Sequence, residues 1–438
     1  MVNHCVVRLA RLLSSNQVGG WLDQVVASAS NLFIVLIVAR WMSVIDLGYY
    51  AIAFSVFTVL GTVQDSLITR PYTVQMLNSD VDPRVRSAGA LAFALSLWLS
   101  LTLILWATGI ALVLSGQADR EASIAFILGA AIPSLLLREF VRRYCFAHLK
   151  AWQAFSVDLA YLIFAILGFL LTIVYFELTV ISVIVVMTLS CTASAGAWMF
   201  LNHRSFLFDI HEVRGVAASM ASVGGWLTFG QIAAQAQSFS VQWIALLTVG
   251  PAATGVYTAS LSVISLSNPL LFGYFNLLTP QFVRCYKSSG LDAVFRRAVL
   301  SSLLLGCLTS CFALFVFFLG DWILRVLFPG EEYQSSSKIL VILAVALVAS
   351  SLGGPATIAL VTLDRAKETA ILSAAMACAG GALILVLMVG WGLETAIYGV
   401  LAYETIGSFA RWGLLVRLLL RKQLLGIQSP ITYTRSGI

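Results

Sequence analysis

Val18-Gly19-Gly20-Trp21-Leu22 opens the first long apolar run of this chain, and Val223-Gly224-Gly225-Trp226-Leu227 opens another 205 residues later. Each copy follows a short polar and basic segment. Each runs straight into about 20 mostly apolar residues, the length of one helix across a bilayer. The shared Trp and the shared context argue for an internal repeat rather than a chance identity. Weaker echoes agree: Leu47-Gly48-Tyr49-Tyr50-Ala51 and Thr254-Gly255-Val256-Tyr257-Thr258-Ala259 each open a later run. Two like halves carry a specific expectation, because many transporters are two repeats with the substrate path between them.

Composition places the repeat in lipid. Of 438 residues, 60% are hydrophobic and 11% charged, and the mean hydropathy is +0.94. A soluble domain carries about 25% charged residues. Apolar runs of spanning length fall near 18–39, 47–69, 88–114, 122–142, 154–176, 179–202, 218–247, 254–278, 298–320, 338–362, 369–391 and 395–419. Backbone groups in lipid must bond within their own segment, so these spans are helices. No alternating ten-residue pattern suggests a barrel. The expected fold is an all-α polytopic membrane protein of about 12 transmembrane helices, in two six-helix halves related by a pseudo-twofold axis along the membrane normal. The expected divisions are an N-terminal half over 1–202, a cytoplasmic linker over 203–217, a C-terminal half over 218–420 and a cytoplasmic tail over 421–438.

Charge tests the span count. With the N-terminus placed in the cytoplasm, 22 of the 26 Lys and Arg fall on the inner side. Only Arg40, Arg120, Arg325 and Lys338 fall outside. Basic residues resist translocation, so the split predicts cytoplasmic N- and C-termini. One missed span would scramble the alternation from that point on. Arg8 and Arg11 interrupt the first apolar residues, which reads as a short amphipathic segment on the membrane surface rather than a cleaved leader.

The remaining composition narrows the chemistry. The seven Cys show no CxxC and no Cys/His ligand spacing, so they read as small core hydrophobes and no metal is expected. No Gly-rich phosphate loop, soluble domain or large outer loop is visible, so no cofactor and no nucleic-acid partner are expected.

Polar residues inside the spans are the functional candidates, since an embedded Asp costs about 2.5–3.5 kcal/mol on insertion scales. Asp23 sits about a turn into span 1, and Asn31 reads as sharing its face, with Ser28 close by. The pair is either a polar seam lining a water-filled cavity or a set of interhelical hydrogen bonds that holds the bundle together. In span 7, Gln231, Gln235, Ser238 and Gln242 recur at steps of four, three and four, a stripe that must face protein or water. Span 8 carries serines, Asn268-Pro269 and Asn276, and Pro269 predicts a kink. Asp65, Asp158 and Glu404 are the other embedded acids. Asp158 reads as pairing with a nearby base, Arg138-Glu139 as a local pair, and Glu404 as deeper and more suggestive. Arg40 and Arg70 close spans 1 and 2. They either snorkel to headgroups or form a cationic path for an anionic lipid headgroup, because guanidinium matches phosphate bidentately.

At this point a family resemblance enters. Gly20-Trp21-Leu22-Asp23-Gln24 through Ala39-Arg40-Trp41 to Leu47-Gly48-Tyr49-Tyr50-Ala51 resembles the N-terminus of bacterial Wzx-type polysaccharide flippases. These belong to the multidrug/oligosaccharidyl-lipid/polysaccharide flippase superfamily. Leu327-Phe328-Pro329-Gly330-Glu331-Glu332-Tyr333, followed by Ile339-Leu340, looks like that family's outer loop before span 10. Asp364-Arg365-Ala366-Lys367 resembles its short basic inner loop. The resemblance implies a non-enzymatic transporter that moves an isoprenoid-diphosphate-linked oligosaccharide repeat unit from the inner to the outer leaflet, for exopolysaccharide or O-antigen. It implies membrane lipid and the polysaccharide polymerase and assembly proteins as partners. A cation-coupled multidrug exporter of the same superfamily, with Asp23 as its ion site, is the nearest alternative. A membrane-embedded glycan polymerase or ligase is the alternative from another class, and the short outer loops count against it.

Overall fold

The computed structural model describes residues 16–75, 82–116, 119–334 and 336–425. The amphipathic segment expected around Arg8 and Arg11, the tail beyond 425, and the side chains of Trp226 and Asn276 lie outside the described residues. Among the described residues the chain is helical, with no strand. It divides into two compact units, 1–258 and 259–438.

The first unit holds α1 (Asn16–Trp41), α2 (Val44–Gln64), α3 (Arg70–Gln75), α4 (Pro83–Ser115), α5 (Asp119–Ala147), α6 (Ala151–Tyr175), α7 (Val180–Leu201), α8 (Ile210–Thr248) and the start of α9 (Pro251–Ile264). Helix starts are set by caps. Ser43 and Asp46 form a reciprocal capping box on α2, as Thr179 and Ser182 do on α7. Asp82 caps α4 just before Pro83. In α5, Pro133 removes the bond that would reach the carbonyl of Gly129. Thr102 of α4 donates to that freed carbonyl at 2.9 Å, so the neighbouring helix satisfies it. Gln64 ties three helices in the same layer. Its amide donates to Leu136 O at 3.1 Å, and its oxygen accepts from Trp98 Nε1 at 2.5 Å. Beyond α2 the chain makes a π-turn over Asp65–Thr69, with the N–H of Arg70 reaching back to Asp65 O. Pro71, which has no N–H to give, follows at once. Helix α8 packs along α2 and α4.

The second unit holds the rest of α9, α10 (Asn268–Leu327), α11 (Glu331–Gln334), α12 (Ser337–Thr362), α13 (Ala366–Trp391) and α14 (Leu393–Leu425). Helix α10 is two helices joined at Gly290, whose φ of 74° only a residue without Cβ adopts freely. Its core is the seam where Leu278, Phe282, Val294 and Ala298 meet Ala356, Ala359, Leu360 and Leu415. Pro355 interrupts the ladder of α12. One turn before it, Leu352 O accepts from Ser302 Oγ and Trp412 Nε1, both at 2.9 Å.

Among the described residues, ten helices are long and apolar enough to span a membrane. They match the expected spans except the seventh and twelfth. Those two are helices as well, α8 of 39 residues and α14 of 33. The glutamines of α8 and Glu404, Arg411 and Arg417 of α14 lower their hydropathy, so about 12 helices stands. At the kink expected at Asn268-Pro269 the helix tightens into a 3-10 turn over Ser265–Ser267, while the backbone at Ile264, Ser267 and Asn268 stays right-handed helical and one span runs from Pro251 to Phe275. The cysteines correct the sequence reading. Cys145 and Cys191 are buried, but Cys307, Cys311 and Cys378 are exposed on their helices, where lipid is as good a solvent for a thiol as a core.

A buried ionic network as the candidate functional site

The first glycine of the repeat stretch positions Asp23. A Cβ on Gly19 would lie 3.2 Å from the backbone of Ala151 and Trp152, so α1 and the start of α6 approach closely there. One turn on, Asp23 points into the bundle with its side chain fully buried. Its Oδ2 accepts from Arg142 Nε at 2.9 Å and from Nη2 at 2.7 Å. Gln24 Oε1 accepts from Arg142 at 3.4 Å. The same guanidinium lies 3.2 Å from Asp158 Oδ2 on α6 and 3.7 Å from Glu139. Arg138, one turn earlier on α5, donates to Asp158 Oδ1 from Nε at 3.1 Å, and its Nη2 lies 2.9 Å from the same oxygen. Its guanidinium stacks 3.9 Å over the ring of Tyr161.

Within ion-pair distance Asp23, Glu139 and Asp158 share Arg138 and Arg142, and Glu139 also faces Arg143 of the neighbouring Asp65 cluster. Two acceptors are also open. Asp23 Oδ1 and Asp158 Oδ2 are buried without a hydrogen-bond partner among the described residues. Asp158 Oδ2 sits near Arg142 Nε, but that N–H is already donated to Asp23. Isolated buried carboxylates are costly, and this arrangement offsets the cost only in part.

A second, wetter cluster lies at the π-turn. Asp65 accepts from Arg70 Nε at 2.8 Å and from Thr69 Oγ1 at 2.7 Å, and Arg143 Nε stands 3.4 Å away. Both arginines are about half exposed, while Asp65 is mostly covered. Beside it, Tyr72 Oη bonds Ser87 Oγ at 2.8 Å and His148 Nε2 at 2.7 Å. The ring of Tyr144 lies 4.2 Å from that of His148. Burial, and then the nearby Lys150, hold His148 below its ordinary pKa. At the opposite end of the bundle, Asp46 pairs with Arg120, Tyr49 donates to Glu121 at 2.7 Å, and Arg120 lies 4.5 Å over the Tyr49 ring.

The other sequence candidates are distributed differently. Asn31 is exposed, whereas Ser30 is the buried neighbour on the face of Asp23. The expected Asp23–Asn31 seam is therefore absent. Eight residues at 100° each leave Asn31 about 80° away from Asp23, and seven residues bring Ser30 within about 20°. Arg40 is exposed, with no ion pair among the described residues. Gln231 and Gln235 are half-buried, and Gln235 donates to Thr62 of α2 at 2.8 Å. Gln242 is buried, with Oε1 lacking a partner among the described residues. Glu404 is half-buried on α14 of the second unit, next to Tyr403, whose ring packs on Gly380. Asp158 does pair with a base. Glu139 pairs with Arg142 rather than with Arg138. Arg142 was missed as a site residue. The available signal was Arg138 and Arg142 four apart inside an apolar run, which puts two charges on one helix face.

Neither a family model nor a curated protein matches this sequence. Solved structures do. One, described as the inward-facing conformation of a multidrug resistance MATE family transporter of the MOP superfamily, superposes with TM-score 0.76 at 14% identity, covering 92% of this chain and 96% of that one. A structure described as the outward-facing conformation of a multidrug resistance MATE family transporter of the MOP superfamily gives 0.67 at 13% identity, over 94% and 95%. A MOP superfamily transporter from Pyrococcus furiosus, described as having a binding pocket of reverse polarity that suggests a different function, gives 0.69 at 13% identity, over 93% and 94%. At these identities the likeness is one of fold, and the chain has the two-half helical fold of these MOP superfamily transporters.

Proposed function

We propose that this protein is a membrane transporter that works by alternating access. It flips an isoprenoid-diphosphate-linked oligosaccharide repeat unit from the inner to the outer leaflet for cell-surface polysaccharide. On this reading it is a non-enzymatic, multi-pass protein of the bacterial inner membrane with both termini in the cytoplasm. The polymerase and assembly proteins act on what it delivers. The fold it shares with transporters seen both inward- and outward-facing supports the alternating-access part.

The observation that carries the substrate class is the pair of half-exposed arginines, Arg70 and Arg143, over one carboxylate at the basic end of the first unit. A diphosphate offers bidentate oxygens to both, and it can take the place of Asp65. The isoprenoid tail stays in lipid while the charged, hydrated headgroup needs such a polar passage. The buried network around Asp23, with its two carboxylate oxygens open to a further partner, suits a coupling proton or Na⁺. That network, and the description of the structural relatives as multidrug transporters, favour a second reading, a cation-coupled drug exporter.

One comparison separates the two. Proteoliposomes are loaded with a fluorescent isoprenoid-diphosphate oligosaccharide, and its exposure to an impermeant reagent is followed. Protein-dependent flipping that drops in Arg70→Gln and Arg143→Gln is the expected result. Cells lacking the protein should also accumulate the lipid-linked oligosaccharide on the cytoplasmic leaflet. Absent flipping together with raised drug accumulation in those cells would select the exporter instead.

A further inference from the structure

Two charged residues of the second unit belong to neither cluster described above. Glu404 and Arg411 are both half-buried on α14. Seven residues at 100° each put them within about 20° of one another on the helix face. Neither makes a hydrogen bond or an ion pair among the described residues. Arg411 does not reach for the end of its helix. Its guanidinium folds back along α14 and lies over Gly407, one turn nearer the helix start. A Cβ on Gly407 would stand 3.8 Å from Arg411 Nη2 and 3.9 Å from Cζ, and 3.8 Å from Met376 Cε of α13. Two neighbours give the depth. Met376 lies ten residues into α13 from Ala366, about 15 Å at 1.5 Å per residue. Trp412, beside Arg411, donates to Leu352 O, ten residues before α12 ends at Thr362, again about 15 Å. A hydrocarbon core is about 30 Å thick, so this guanidinium sits well inside it. A snorkelling side chain would point the other way. An arginine at such depth is costly without a counter-charge, and Glu404 does not pair with it. The stretch of α13 beside them, 373–382, carries one large side chain, Met376, so the neighbouring helix does not fill the face.

We propose that Arg411 and Glu404 form a binding site for a glycosyl phosphate. The guanidinium takes the phosphate oxygens bidentately, and the carboxylate accepts from hydroxyls of the adjoining sugar. Each charge accounts for the other in this arrangement. Glu404 would repel a bare phosphate, and a neutral sugar would leave Arg411 uncompensated. Gly407, where the guanidinium rests, is three residues from Glu404, about 4.5 Å along the axis. That is comparable to the separation of a glycosyl phosphate from the hydroxyls of its own ring. The site rests on the flippase reading above for the lipid that carries this headgroup. It differs from the Arg70–Arg143 cluster in reading the sugar as well as the phosphate.

The test maps where the sugar sits. A prenyl diphosphate glucose with a diazirine on the sugar is added to the full chain in nanodiscs of phosphatidylcholine. After irradiation the modified peptides are identified by mass spectrometry. Label should appear in 373–382 of α13 or 403–412 of α14, and unlabelled prenyl diphosphate glucose should compete it away. Phosphatidylglycerol, and a prenyl glucoside without phosphate, should not. Arg411→Gln should lower that label roughly tenfold or more, as loss of a charge-assisted bidentate pair does. Arg411→Lys should restore part of it. Glu404→Gln should weaken binding of prenyl diphosphate glucose and not that of prenyl diphosphate alone, both read by competition, a split that a merely structural carboxylate would not produce. Sugar label confined to other parts of the chain overturns the site, even if the variants fail to fold. So does undiminished label in folded Arg411→Gln. Equal competition by phosphatidylglycerol also overturns it, by assigning the face to bulk lipid. Flipping of the lipid-linked oligosaccharide with no label here removes the site and keeps the transport reading, and label here in a protein that flips nothing does the reverse.

Discussion

Removing one charge at a time from the Asp23 network should have unequal effects, and their order follows from counting. The native set has three acids and two arginines, a formal charge of −1. Asp23→Asn makes the set neutral and keeps an oxygen that Arg142 can still donate to. Only the charge assistance of the two bonds is lost, about 1 kcal/mol. Arg142→Gln leaves three acids and one arginine in the set, a charge of −2, with Asp23 fully buried and stripped of its partner. Removing one partner of a buried pair costs about 3–5 kcal/mol. The double variant returns to −1, so its loss should fall short of the sum of the singles by about 1.5–3 kcal/mol.

The assay is survival of monodisperse protein after heating in detergent. In a unit of this size each kcal/mol corresponds to a shift on the order of 2–4 °C. Transport is measured on the same preparations. If the network binds a coupling cation as proposed, Asp23→Asn should keep its membrane level and lose most transport per molecule. Equal thermal losses for Asp23→Asn and Arg142→Gln, or strictly additive losses in the double variant, would refute the charge argument. Full transport by Asp23→Asn at normal level would remove Asp23 from the mechanism.

Three further outcomes are expected. Single cysteines at Ser115 and Glu331, both exposed, should label from outside intact cells, and one at Ser288 should not; a labelled Ser288 would invert the topology. Gly19→Leu should force α1 away from α6, where only 3.2 Å is available, and lower thermal stability by about 1–3 kcal/mol, whereas Gly196→Leu, with open space around it, should be nearly neutral. His148 is depressed below its ordinary value by burial and then by Lys150, so the folded state prefers the neutral ring. The stability this contributes is present above the ordinary value of 6.5 and is lost as pH falls through the depressed one. Acidification should therefore destabilise the native protein more than His148→Gln, and identical pH profiles of heat survival would contradict this.

The sequence made the spans legible because their signal is local. An apolar run of bilayer length and a basic residue at its inner end are each contained in one stretch of chain. The same locality explains what was not legible. Arg142 meets Asp23 across 119 positions, and nothing within span 1 or span 4 states that these helices touch. Asp23 was visible as a costly group, and a partner from another span was one way to offset that cost; which span supplied it was a matter of packing. Gly19 looked like one half of a repeat signature, and only the backbone of Ala151 shows that it sets how deep Asp23 sits. Gly48 and Gly255 show the limit most clearly. Their equivalence could be read from the repeat, but a repeat says only that two segments are alike. Which residues of the two copies meet was a matter of packing: Gly48 lies against Pro251 and Gly255 against Val44, the reciprocal pattern of a twofold contact. Each place takes glycine because a Cβ there would overlap the opposing carbonyl.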